Sequence, residues 1–351
     1  MNKSKSKTKL LVIILILIAV IAAGLFGFYK HELTAVSSTD DKTITVDIAS
    51  GSGAYDIISA LDKAGLIRNA ACAKLYVRLA APSNLQANTY LLNKTMSLPQ
   101  MLNIIENGTF KYIVKTKFTI IEGSTYDAAA ESISKALNIK KSTIISKWSN
   151  KEYLNQLMSK YWFLSDDILK NGLKCPLEGF LYPETYYVTG KDPSIESVTE
   201  QILDVTNSQL TPLKSEISSM NMTPFEFVTF ASVVENESLF DKDKPKIAGV
   251  FINRLNKGMN MQSDITVLYA LGKKTVNVSL TDLKVKSGYN TYLNTGLPIG
   301  PVSNPSAATM KACANYEHSD YYYFFATKDG KVIYSKTYAE HQKAVSENQW
   351  Y

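Results

Sequence analysis

Two carboxylates, Glu235 and Glu237, stand one residue apart at the end of the apolar run "FASVVENESLF", Phe230 to Phe240. Acids in such a place have two readings. Either the segment reaches the surface there and both are solvated, or one is kept in apolar surroundings as a proton donor. In a helix, burial disfavours the charged form of Glu235, and so does the negative end of the helix dipole. Both effects raise it toward the range where a carboxyl can donate a proton near neutral pH, as general acid catalysis requires. Residues two apart on a helix differ by about 200°, so the two acids do not point into one site. One acts while the other is structural or solvated, or both are solvated.

The element that carries them has a clear start. Thr223-Pro224-Phe225-Glu226 offers an N-cap threonine, a proline in the first turn and a glutamate that completes a capping box. Phe225, Phe227, Val228, Phe230, Ala231, Val233 and Val234 then cover most of the circumference, which marks a buried helix.

Other chemistries find little support. Cys72, Cys175 and Cys313 are far apart, with no CxxC pair, and an odd count argues against a disulfide framework. His31, His318 and His341 are scattered, so neither a Cys/His dyad nor a metal cluster is expected, and no metal or organic cofactor is implied. The net charge of +6 comes largely from the tail "MNKSKSKTK"; without its four lysines, 34 basic residues face 32 acidic ones. A near-neutral remainder has no electrostatic footprint for nucleic acid.

Leu10 to Tyr29 contains no charged residue and, as a helix, spans roughly 30 Å, the thickness of a bilayer core. A cleaved signal peptide would have a shorter apolar core closed by a small-x-small site. The reading is a single-pass anchor, with the lysine tail cytoplasmic and the remainder extracytoplasmic. Residues 30–42 are polar and read as a linker. "TITVDI" alternates as a strand, and "IISALDKAGLI", "ACAKLYVRLAA" and "LPQMLNIIENG" read as helices. "KFTIIEGSTYDAAAESISKAL" partly repeats the strand, turn and helix, with Tyr126-Asp127 in the place of Tyr55-Asp56. The aromatic run Tyr321 to Phe325 reads as strand packing in a hairpin turned at Asp329-Gly330, followed by a helix.

The blocks "ASVVENES", "GVFINRLNKGMNMQSDITVLYALG", "YNTYLNTGLPIGPVSNP" and "LEGFLYPETY" resemble, in order, the hallmark segments of the MltG (YceG-like) family. The usual Gln-Thr-Asp-Pro-Thr of that family stands here as Gln262-Ser263-Asp264-Ile265-Thr266, without the proline. The resemblance implies an α+β protein: an N-terminal transmembrane helix, small LysM-like βα modules, then a mixed α/β catalytic domain. The resulting layout is a cytoplasmic tail at 1–9, the membrane helix at 10–29, the linker at 30–42 and a LysM-like module at 43–116. The catalytic region is 117–351, with a strand-helix module at 117–174 and the core at 175–351.

The resemblance also implies an endolytic lytic transglycosylase that cuts MurNAc-GlcNAc β-1,4 bonds of peptidoglycan and leaves 1,6-anhydro-MurNAc ends. It places the catalytic role on the first acid, Glu235, with Glu237 in possible support. Glu178, Tyr182, Arg254, Gln262, Asp264, Tyr289 and Asn290 then become substrate-binding candidates, while Tyr292 reads as ordinary loop hydrogen bonding. Cell-wall synthases and division proteins are the implied partners. The rival from another class is a noncatalytic, membrane-anchored wall-binding scaffold; a second rival is a hydrolase with two carboxylates.

Overall fold

The computed structural model describes residues 2–238, 240–273 and 277–348, with side chains from residue 9 onward. The chain divides into two units, Met1–Thr116 with Tyr187–Asp192, and Lys117–Tyr186 with Pro193–Tyr351. Both combine helices with short two-stranded sheets, an α+β architecture.

The first unit opens with helix α1 (Asn2–Glu32). Within Lys9–Glu32 an 18-residue stretch reaches a mean hydropathy of 3.2 with none of it buried by protein; among the described residues this is the one helix long and apolar enough to cross a membrane. The helix runs past Tyr29, and Leu33 beyond it is buried. The polar stretch at 30–42 is tied down rather than free. Leu98 N–H donates to Leu33 O, Arg68 Nη2 donates to Ala35 O at 2.7 Å, and Lys94 pairs with Asp40 at 2.8 Å.

Strand β1 (Ile44–Ile48), helices α2 (Ala54–Lys63) and α3 (Ala70–Ala80), strand β2 (Asn88–Leu92) and helix α4 (Leu98–Asn107) follow. β1 and β2 are antiparallel, with Val46 opposite Tyr90 and Ile44 opposite Leu92. Alternation turns Val46, Ile48, Tyr90 and Leu92 into a core completed by Ile57, Ile58, Leu61, Met101 and Ile105. Local signals set the helix ends: Asn69 caps α3, and a Ser97–Gln100 capping box starts α4, which stops at Gly108.

Strands β3 (Val114–Thr119) and β4 (Thr185–Thr189) pair. The second unit is mostly helical, with α5 (Tyr126–Leu137), α6 (Lys141–Trp148), α7 (Lys151–Lys160), α8 (Ile195–Leu210), α9 (Lys214–Ser219), α10 (Pro224–Glu237), α11 (Lys244–Asn256), α12 (Asp264–Leu271) and α13 (Ala307–Ala314). Strands β5 (Tyr323–Ala326) and β6 (Val332–Ser335) form the antiparallel hairpin, and α14 (Tyr338–Glu347) ends the described chain. The internal repeat is shallow: Asp56 caps α2 through the Gly53 N–H, whereas Asp127 pairs with Lys141.

α10 is the central helix and packs against α11, α12 and α13. Thr223 and Glu226 form the capping box in both directions, and the side chains from Phe227 to Val234 are all buried. Its two buried hydroxyl residues are satisfied. Thr229 donates to Phe225 O, and Ser232 donates to Thr229 O while accepting the Val302 N–H at 3.0 Å. α11 carries a close approach at Gly249, where a Cβ would meet the Glu317 carbonyl oxygen at 2.1 Å. That backbone is fixed by Glu317 N–H donating to Pro245 O at 2.9 Å. Gly249→Ala must push the segment away, so thermal or denaturant unfolding should show a loss of about 1–3 kcal/mol; wild-type stability would refute the close approach.

Candidate active site

The end of α10 separates its two acids. Glu235 turns toward the N-termini of α11 and α13. Its carboxylate accepts from Ser306 N–H at 2.7 Å, Ser306 Oγ at 2.8 Å and Lys244 Nζ at 3.3 Å. Its side chain is 7% exposed and that of Lys244 5%, and Lys244 also pairs with Asp241 at 2.7 Å. Asn236 between the acids donates to Ser303 Oγ at 2.8 Å, which fixes the last turn against the loop before α13.

Glu237 faces a cleft of about 450 Å³, lined also by Arg254, Gln262, Asp264 and Tyr292. Ser263 Oγ donates a short hydrogen bond to Glu237 Oε1. Burial pushes Glu237 up to about 7; the Asp264 charge adds to the rise, while the Ser263 hydrogen bond and the Arg254 charge oppose it. Burial at the end of this helix thus raises the Glu237 carboxyl.

The other cleft residues are held by local backbone. Arg254 donates from Nε to Tyr322 O at 2.7 Å, from Nη1 to Asn260 O and Met261 O, and from Nη2 to Gln262 Oε1 at 3.4 Å. This guanidinium clamps the α11–α12 connection and stays within electrostatic reach of Glu237. Gln262 sits at φ +55 and its N–H donates to Thr291 O. Asp264 opens α12, exposed, and accepts from Tyr292 Oη at 2.6 Å.

Of the sequence-based candidates, Arg254, Gln262 and Asp264 thus gather with Glu237, and four others lie elsewhere. Glu178 is fully interior: it accepts from Tyr126 N–H at 2.8 Å, Tyr269 Oη at 2.9 Å and Asn304 Nδ2 at 3.4 Å. Tyr289 is buried edge-on against Tyr269 and accepts the Lys174 N–H. Asn290 is buried and spans its own loop, donating to Leu283 O and Val285 O. Tyr182 is half-buried outside the cleft lining, and its carbonyl accepts from Tyr186 Oη.

Sequence reasoning undervalued several cleft residues. The expectation for Tyr292 is loop structure, and for Tyr323, Phe324 and Phe325 strand packing. The last three do form β5, but all four line the cleft, together with Tyr338 and His341 of α14. The aromatic run was the available signal; nothing local marks Tyr338 or His341.

Glu178 is also displaced, pushed up to about 8 by burial against the opposing Tyr269 and Tyr126 hydrogen bonds. With both acids raised above the ordinary carboxyl value of 4.5, the folded chain holds more protons than the unfolded one between about pH 4.5 and 8. Their contribution to stability is complete below about 4.5 and is lost as pH rises through about 7 and 8. Glu178→Gln should flatten part of that decline in Tm between pH 5 and 8; an undiminished decline would show that Glu178 does not contribute to it.

Comparison with known proteins agrees with this architecture. The YceG-like family model matches residues 46–347. A Bacillus subtilis (strain 168) protein named endolytic murein transglycosylase is 35% identical over 326 residues, 93% of this chain and 90% of the relative. A protein of the same name from Streptococcus pneumoniae D39 is 33% identical over 94% of this chain, which spans 63% of that longer relative. The crystal structure of a Listeria monocytogenes protein described as yceG-like superposes with a TM-score of 0.63 at 37% identity, covering 87% of this chain and 99% of the other. With the family model spanning most of its length, this chain belongs to the YceG-like family.

Proposed function

We propose that this protein is an endolytic murein transglycosylase, with Glu237 as the group that moves the proton. The observation that carries this reading is a raised carboxyl at the end of a buried helix, inside a polar cleft with an aromatic wall. The relatives named endolytic murein transglycosylase supply the substrate class.

The chemistry needs one carboxyl used twice. Protonated Glu237 gives its proton to the glycosidic oxygen as the bond to the anomeric carbon breaks. The carboxylate so formed takes the proton from the C6 hydroxyl of the same MurNAc, and O6 closes on the anomeric carbon to give the 1,6-anhydro end. No water attacks, so the second carboxylate of ordinary glycosidases has no necessary part. An acid near 7 is matched to both halves of this cycle. The Arg254 charge and the Ser263 hydroxyl favour the carboxylate once it forms.

Glu235, where the family resemblance places the acid, is held by Ser306 and Lys244, and we assign it to positioning the last turn of α10. The apolar helix Lys9–Glu32 would anchor the enzyme in the membrane, with the lysine-rich tail cytoplasmic and the cleft facing the wall. A LysM-like role for the first unit, and cell-wall synthases or division proteins as partners, complete the proposal.

Glu237→Gln should lower the release of anhydro ends from purified glycan strands by about 10²- to 10⁴-fold while the melting temperature holds or rises. Glu235→Gln should keep most of the chemistry but lose about 1–3 kcal/mol of stability, because Lys244 stays buried with one partner fewer. An inactive Glu235→Gln beside an active Glu237→Gln, both folded, would move the proton-transfer role to Glu235. Reducing ends in place of anhydro ends would replace the transglycosylase with a hydrolase, and uncut strands with a scaffold.

A further inference from the structure

The cleft has a wall that the proton chemistry does not use. His341 of α14 stacks on Tyr323 of β5, with centroids 5.4 Å apart and planes at 24°, and its ring lies 6.3 Å from that of Tyr338. All three line the same cleft as Glu237. His341 Nδ1 is buried and has no hydrogen-bond partner among the described residues. A buried N–H without an acceptor is rarer than an unfilled lone pair, which puts the ring proton on Nε2. Burial and the nearby Arg254 charge push His341 below its ordinary value, which keeps the ring uncharged at neutral pH.

The donors in the cleft include the Gln262 amide and the Tyr323 and Tyr338 hydroxyls. All but one of the Arg254 N–H groups go to the carbonyls of Tyr322, Asn260 and Met261 and to the Gln262 side chain. Asp264 can only accept when ionised, which suits sugar hydroxyls. His341 adds a neutral ring N–H to this set, beside the Tyr323 and Tyr338 rings.

We propose that His341 is a specificity-determining residue: its Nε2–H donates to the N-acetyl carbonyl of a sugar bound in this cleft, beside Tyr323 and Tyr338. The inference rests on the glycan-cleaving reading and adds to it the group that distinguishes N-acetylated sugars from plain glucans.

The test is calorimetric binding of two neutral probes, a β-1,4-linked N-acetylglucosamine tetramer and cellotetraose, to the full chain in detergent. Wild type should prefer the N-acetylated tetramer. His341→Ala should weaken that tetramer about tenfold and leave cellotetraose nearly unchanged. His341→Gln, which keeps a donor, should recover part of the loss, and melting curves confirm that the variants are folded. Equal losses for both probes, no loss in a folded His341→Ala, or no preference in the wild type would each overturn the proposal. Cleavage of glycan strands by the wild type is scored separately. Cutting without N-acetyl preference removes this inference alone, whereas His341-dependent preference without cutting removes the proposed reaction.

Discussion

A helix buried on nearly every side must still end, and the end of α10 carries two carboxylates that each need a partner. The solution is a split. Glu235 goes to Ser306 and Lys244 on one side, and Glu237 goes to Ser263 and the cleft on the other. Burying a carboxylate without donors costs several kcal/mol, so these contacts also fix how α11, α12 and α13 meet the helix. Ser232 and Asn236 add ties to Val302 and Ser303, and the loop before α13 is held along the same face. The rigid end of α10 is thus a product of its own polar residues, and the cleft acid inherits that rigidity.

The two acids differ in how completely they are satisfied. Glu235 has a cation and a serine that donates twice. Glu237 has one strong donor and a guanidinium with all but one of its hydrogens bonded elsewhere. Under-satisfaction in a buried place is what lifts a carboxyl into the working range of a general acid. A wall of aromatic rings beside such a group suits sugars, whose faces are apolar and whose edges are polar.

Much of this was legible in the sequence because the signals are local. The Thr223–Glu226 box, the all-round apolar run, the Asp329-Gly330 hairpin and the helix of "LPQMLNIIENG" each act over a few residues, and each stands where the pattern placed it. The 200° offset correctly required the two acids to diverge. The side on which the cleft lies depends on which helices pack where, and periodicity does not carry that. The same limit explains Glu178, Tyr289 and Asn290. Their motifs are polar and aromatic, as a binding groove would be, yet they serve interior hydrogen bonds to Tyr126, Lys174 and Val285. His341 was invisible for the opposite reason, as a lone histidine on a polar helix with a neighbour, Tyr323, that is distant from it along the chain.

The central claim is that the titrating acid of the reaction is Glu237. Its most direct measurement is the pH dependence of kcat/KM for anhydro-end release, in wild type and in Ser263→Ala. If protonated Glu237 starts the reaction, the rate falls as pH rises through about 7. The Ser263 hydroxyl favours the carboxylate, so removing it raises that pKa and moves the falling limb to higher pH. A limb that stays in place in folded Ser263→Ala would contradict the assignment.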